Sequence, residues 1–472
     1  MDGDPRITVL NARINGAGGY FSGSDEVPRA VNRFSNEREM FYMNIDDRPL
    51  GSETYSSVLA HEFQHMIQWR QSVRPSTWIN EGLSQLAEEL NGYTASDLGS
   101  LYLSEPDLQL TDWAEDPSIA GAHYGASYLF LSYFYDRYKD QIDLQQLVKQ
   151  GAGERLQLLA EDAREARPDI ENFDQLYADW AVANLLNDPS LEQGRWSYGE
   201  LPDTVVPEQD DDGVLSGEVA QFGTDYVEME TSTSERVLRF DGSDQIGVIA
   251  AEPEGTMWWS ERGDDAVSTL TRSFDLRSVP SATLEFRTWF DIEEGYDYAF
   301  ASVSTNGGTT WTTLAGEHTT TEDPQGANYG SGYTSTSGGS TATWVDERID
   351  LTPYVGQEVM IRFSLISDDA FNRPGMAIDN IRIPEINFED DAEAGSTDWQ
   401  STGWVRTNNE LEQRWQLRLV SYEGDTPRVT ALTLDGENTA EVRVPANTRA
   451  VLVVMATTPH TSERAEYSVS RP

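Results

Sequence analysis

Residues 58–67 read Val-Leu-Ala-His-Glu-Phe-Gln-His-Met-Ile, and these ten side chains decide what the first part of the chain must be. From Val58 to Trp69 the apolar residues recur at the i, i+3, i+4 spacing of one helix face. On such a helix His61 and His65 stand one turn apart and project the same way, so two imidazoles can bind one Zn²⁺. Glu62 lies beside them and can take a proton from a water on that ion. The competing reading is an ordinary core helix carrying two histidines by chance. With only 5 His in the chain, that coincidence is rare.

Two ligands leave the site incomplete, because a catalytic zinc normally takes three protein ligands plus water. Further along the helix, Gln68 and Gln71 stand where a metzincin would carry Gly and His, which excludes that class. His318 and His460 lie in β-rich sequence, leaving His123 as the only other nearby imidazole. Glu81, in Trp78-Ile79-Asn80-Glu81-Gly82-Leu83-Ser84, is the better third ligand. It is expected to open a second amphipathic helix that packs antiparallel on the first and presents its first turn to the metal. The blander reading is a glutamate that stabilises a helix N-terminus.

Outward from this pair, helical periodicity continues through Leu83–Leu90, Tyr124–Tyr138, Leu144–Val148, Leu156–Ala163 and Phe173–Leu186. Upstream, Arg6–Leu10 and Met40–Met43 read as strands, so the first ~200 residues are α+β, strands first. From about Leu201 the texture becomes short alternating runs, such as Tyr226–Met229, Val237–Phe240, Thr283–Phe286, Val359–Phe363, Val442–Val444 and Ala450–Met455. That spacing indicates all-β sandwich modules. Gly326–Thr343, rich in Gly, Ser and Thr, is expected as a long surface loop. Glu208–Gly213 is expected as a linker and lacks the ligand spacing of an EF-hand. The expected division is 1–200, then a discontinuous sandwich of 201–252 with 409–472, interrupted by 253–408.

Composition narrows the partners. The 472 residues carry 81 Asp+Glu against 33 Lys+Arg, a formal charge of -48, which repels nucleic acid and anionic membrane surfaces. A chain with 38% hydrophobic residues and 13 Trp is too apolar to be disordered. No apolar run approaches the ~18 residues of a membrane helix. The absence of Cys excludes disulfide scaffolds, thiol nucleophiles and Cys-ligated zinc. Lys139 and Lys149 are the only lysines, a bias that a saline habitat, a GC-rich genome or export would each produce. Met1–Arg6 has neither the basic nor the apolar region of a signal peptide, so the protein is cytoplasmic or the chain lacks its beginning.

At the His61–His65 and Asn80–Gly82 stretches the sequence resembles the gluzincin metalloproteases, and most of all the hyicolysin-type peptidases. Gly19-Tyr20-Phe21 and Asn36-Glu37-Arg38-Glu39-Met40-Phe41-Tyr42 carry the same resemblance, which covers about residues 2–190. It implies a secreted zinc enzyme with ligands His61, His65 and Glu81, with Glu62 as general base, and with signal and propeptide missing from this chain. In Gly121-Ala122-His123-Tyr124-Gly125-Ala126-Ser127, expected at a helix start, Tyr124 is the first choice to stabilise the oxyanion and His123 the second. Both could equally be packing residues. Glu88 is expected to hold a ligand by a hydrogen bond. No Gly-x-Met-Glu-Asn strand for a free amine is present, which favours internal cleavage of protein or peptide substrates.

A second resemblance, to the MAM-like jelly roll of immune inhibitor A-type secreted metalloproteases, spans roughly 253–390. It is carried by Trp258-Trp259-Ser260, Asp291–Ala299, Ser304–Trp311 and Gly375–Ile381. Asp297 and Asp379 lie in these segments, beside Asp264 and Asp265, and the four are candidate Ca²⁺ ligands. Accidental proximity is the alternative in so acidic a chain. A monomer is expected. The competing function is a surface or glycan adhesion protein whose metal site is secondary or inactive, against which the presence of Glu62 argues.

Overall fold

A computed structural model describes residues 6–46, 48–71, 76–93, 97–113, 117–141, 144–149, 155–168, 170–199, 204–209, 215–251, 255–368, 370–393 and 398–471. The chain is an α+β region followed by all-β modules, and it forms two compact units. One comprises residues 1–244, 412–459 and 464–472; the other comprises 245–411 and 460–463. Among the described residues no helix is long and apolar enough to cross a membrane. Of the acidic run at 208–213, residues 210–213 lie outside the described residues, and Glu208–Gln209 pairs in parallel with Val227–Glu228.

The first unit opens on a three-stranded sheet. Strand β1 (Thr8–Ala12) runs parallel to β3 (Met40–Asn44), and β2 (Gly19–Phe21) lies antiparallel on the other side of β3. Among the described residues seven α-helices follow: α1 (Glu53–Arg70), α2 (Thr77–Leu90), α3 (Leu98–Ser104), α4 (Pro117–Tyr138), α5 (Leu144–Lys149), α6 (Arg155–Ala166) and α7 (Phe173–Leu186). Ser52 caps α1, its hydroxyl accepting from the Tyr55 N–H at 3.1 Å.

Two expected helix starts move upstream. Helix α2 begins at Thr77, because Trp78 and Ile79 bury almost completely and draw residues 77–80 into the helix. Glu81 therefore sits in the second turn rather than the first. Helix α4 is already formed at Pro117, the first described residue after Trp113. His123 and Tyr124 consequently lie a full turn inside it, not at its start.

Helices α2, α3 and α4 cross closely. A Cβ on Gly82 would stand 2.7 Å from the Ser127 carbonyl oxygen, and one on Gly125 would overlap the Leu98 carbonyl oxygen. These two glycines let the backbones meet, and so bring the Glu81 turn beside the Tyr124 turn. Below the crossing is an aromatic core in which Phe130 meets Trp78 at 5.5 Å and Trp180 at 5.4 Å. Helix α7 is buried over nearly its whole length, as a helix covered on all sides must be. It packs on strand Trp415–Glu423, and Tyr226 donates its hydroxyl to the Ala181 carbonyl at 2.7 Å.

The β part of this unit pairs a five-stranded sheet with a four-stranded one. The central strand Arg449–Ala456 runs between Trp415–Glu423 and Thr224–Met229. Buried Val227, Phe240, Leu417, Val442, Leu452 and Val469 form one core cluster of this sandwich, and the central strand Arg449–Ala456 is apolar and buried along nearly its whole length.

The second unit is another two-sheet sandwich. Long strands Val267–Asp275, Glu358–Ile366 and Tyr298–Ser304 lie in one sheet, and Thr283–Ile292 and Gly375–Ile383 in the other. Gly326–Thr343 is only partly the surface loop expected. Tyr333 pairs with Ala299 and is fully buried, because the loop folds back along that strand.

Candidate metal centre and active site

Helices α1 and α2 face each other with their polar residues inward. His61 Nε2 lies 3.1 Å from Glu81 Oε2, and His65 Nε2 lies 3.6 Å from the same oxygen. The ligand atoms of His61, His65 and Glu81 all fall within 4.8 Å of one another. A tetrahedral zinc with bonds of about 2.0–2.1 Å holds its donors about 3.3 Å apart, and the observed separations bracket that value.

The far side of each imidazole is also fixed. His61 Nδ1 lies 3.0 Å from Glu88 Oε1, and Glu88 Oε2 accepts from the Ser57 hydroxyl. His65 Nδ1 lies 3.2 Å from Ser84 Oγ, which donates to the Asn80 carbonyl at 3.0 Å and so accepts from the imidazole. Both Nδ1 atoms therefore face hydrogen-bond partners, which orients the rings and turns each Nε2 toward Glu81. Glu88 stands where the sequence suggested. Ser84, one turn after Glu81, and Ser57, one turn before His61, were not singled out from sequence, although their i+3 and i–4 spacing was there to read.

Electrostatics couple the three ligands. Burial alone would favour neutral His61, yet hydrogen bonds to Glu81 and Glu88 raise its pKa to about 10. Burial alone would also raise Glu81, but the His65 and His61 imidazoles hold it well below the usual carboxylate range. Two imidazoles and a carboxylate thus converge on one point, a donor set that a divalent cation would fit. Glu62 is buried beside the ligands; desolvation pushes its carboxyl up, against the pull of His65 and His61.

Tyr124 reaches the same space from α4, its ring centroid 6.3 Å from that of His61. The Glu81 charge, then burial, keep its hydroxyl firmly protonated. His123 turns elsewhere: its Nδ1 lies 3.0 Å from the Asp112 carbonyl oxygen, and its ring packs on Trp113 at 5.6 Å. Burial lowers its pKa and keeps it neutral.

The four aspartates named in the jelly roll do not form a single set. Carboxylate oxygens of Glu293, Asp297 and Asp368 lie within 4.8 Å of one another, and only Asp297 is common to both groups. Asp264 accepts from the Asn372 backbone and side-chain N–H groups at 3.1 and 2.7 Å. The Asp265 N–H donates to the Asp368 carbonyl, and Asp379 accepts from the Asn380 N–H at 2.6 Å. Glu293, four residues before Asp297, was not singled out from sequence although its place in that segment was there to read, whereas Asp368 joins the two only in space.

Comparison with known proteins places part of this chain. Residues 229–409 match the family described as immune inhibitor A-like, MAM domain. Pre-pro-metalloprotease PrtV of Vibrio cholerae is 34% identical over 137 residues, which cover 29% of this chain and 14% of that protein. Immune inhibitor A of Bacillus thuringiensis subsp. alesti is 29% identical over 156 residues, covering 31% of this chain and 20% of that protein. Bacillopeptidase F of Bacillus subtilis is 29% identical over 105 residues, 22% of this chain and 6% of that protein. The chain thus spans a small part of each relative's length. It is homologous to bacterial peptidases, a metalloprotease among them, and it carries a MAM-like domain of the immune inhibitor A kind.

Proposed function

We propose that the chain is a secreted zinc endopeptidase of the gluzincin type, close to the hyicolysin-type peptidases. On this reading residues 1–200 are the peptidase module, 201–252 with 409–472 a sandwich, and 253–408 an inserted jelly roll. The observation that carries the reading is the convergence of His61 Nε2, His65 Nε2 and a Glu81 oxygen beside the buried carboxyl of Glu62. When bound, zinc polarises the scissile carbonyl and makes the attacking water more acidic.

The chain's own residues do the rest. Glu62 accepts the water's proton and delivers it to the leaving amine, a shuttle that suits a carboxyl raised by burial. The Tyr124 hydroxyl, kept protonated, donates to the developing oxyanion. His123, committed to Asp112, is the weaker candidate for that role. Glu88 and Ser84 hold the ligand rings in place. In the jelly roll, Ca²⁺ is the hard cation that the Glu293, Asp297 and Asp368 oxygens could share.

Hydrolysis of casein or gelatin, with and without chelator, tests the reading. Cleavage that a chelator abolishes and zinc restores supports it. Zinc-loaded protein that cleaves neither substrate but binds glycan or cell surfaces would replace it with the adhesion reading.

A further inference from the structure

Residues 105–113, which follow α3, form a loop gripped by a turn of the neighbouring sandwich. The Leu110 N–H donates to the Phe222 carbonyl at 3.0 Å, and the Thr224 N–H returns a bond to the Pro106 carbonyl at 3.1 Å. Between them the Ala220 N–H donates to Asp107 Oδ1 at 2.8 Å, while the Arg464 guanidinium bonds Asp107 Oδ2. Phe222 takes a left-handed backbone at φ 50° and is anchored on Phe173 and Tyr177. These bonds fasten the loop at both faces of one turn.

At the far end of that loop is Trp113, which is 8% exposed. Its ring meets Tyr124 at 4.8 Å and 83°, an edge-to-face contact. The preceding carbonyl, of Asp112, engages His123. Tyr124 thus neighbours both the Trp113 ring and, at 6.3 Å, the His61 ring.

We propose that Trp113 is a positioning residue for Tyr124, and that the sandwich turn 220–224, by clamping loop 105–113, holds Trp113 in place. The sandwich then serves as a wall of the active site rather than as a passive appendage. The kinetic consequence rests on the reading of Tyr124 as oxyanion donor; the positioning itself does not.

The experiment uses the full chain with 3-fluorotyrosine at position 124, observed by ¹⁹F NMR with and without zinc, beside kinetics on a peptide. One narrow resonance is expected in the parent. Trp113→Ala and Asp107→Asn should broaden or split it while melting stays cooperative, and Trp113→Phe should restore a narrow line. In the kinetics, Trp113→Ala should lower kcat on the order of tenfold or more, with KM and zinc content nearly unchanged. In a Tyr124→Phe background the same change should cost less than about twofold, since the two act as one unit. A resonance in Trp113→Ala as narrow as the parent's would overturn the proposal; where Tyr124→Phe itself lowers kcat, so would a fully additive kinetic loss. Should Trp113→Ala fail to fold, the line shapes of Asp107→Asn and Arg464→Gln decide it. An unchanged kcat in Tyr124→Phe removes the oxyanion role alone, and the resonance still judges the positioning.

Discussion

Among the described residues, potential metal ligands gather in two places, by different means. His61, His65 and Glu81 come from two adjacent helices, the first and last 20 positions apart. Glu293, Asp297 and Asp368 come from loops of a jelly roll, with Asp368 arriving from a distant part of the chain. The helical set mixes imidazole and carboxylate, which suits zinc; the jelly-roll set is all oxygen, which suits a hard cation. The first is braced by Glu88 and Ser84, so its geometry is fixed before any ion arrives. Chemistry is expected at the first and stabilisation at the second.

The sharpest way to break this contrast is Glu62→Gln. The variant should keep zinc and lose activity by a factor on the order of 10²–10⁴, measured as kcat/KM beside metal content. Full activity without the carboxylate would remove the general base from the helical site. Tyr124→Phe comes next: kcat should drop about 10²–10³-fold with zinc unchanged, and His123→Asn should cost far less. The reverse order would move the oxyanion role to His123.

Glu88→Gln probes the bracing, and zinc affinity measured by competition with a chelator should weaken about 10–100-fold. Equal affinities would mean that Glu88 only fills space. At the jelly roll, millimolar Ca²⁺ should raise the Tm of zinc-loaded protein by mass action on the folded state, and Asp297→Asn should erase the rise. Coincident melting curves would end the case for a cation there.

The smallest effect concerns a buried acid with no metal chemistry. Asp225 is raised from its ordinary 3.8 to about 7 by burial, then by Asp107, despite the Tyr467 hydroxyl that donates to it at 2.7 Å. The folded state holds this proton longer than the unfolded chain. Its stabilisation is therefore complete below pH 3.8 and lost as pH rises to about 7. Asp225→Asn, which keeps the acceptor, should show a smaller fall in Tm between pH 5 and 8 than the parent. Parallel Tm profiles would place the titration elsewhere.

Much of this was legible in the chain. Four-residue spacing fixed His61 and His65 on one face, and the apolar period of Phe173–Leu186 matched α7 to the residue. Alternating runs such as Val359–Phe363 marked the strands, because side-chain direction in a strand follows from position alone. Local geometry of this sort is set by backbone hydrogen bonds within a few residues, and a sequence reports it directly.

What the sequence did not reveal depends on which surfaces meet. The early start of α2 follows from Trp78 and Ile79 burying against neighbours, and the reach of Tyr124 follows from the close crossings at Gly82 and Gly125. Trp113 carries no local mark at all; it matters only because loop 105–113 is caught by residues 220–224, over a hundred positions later. Asp368 likewise joins Asp297 only when two strands of one sheet lie side by side. The sequence by itself determined that His61 and His65 share one helix face, and the order of helices and strands, because both are written in short-range spacing. The tertiary structure alone decided which carboxylates share a cavity and which ring supports Tyr124, because burial and crossing geometry are properties of packed elements and not of any one segment.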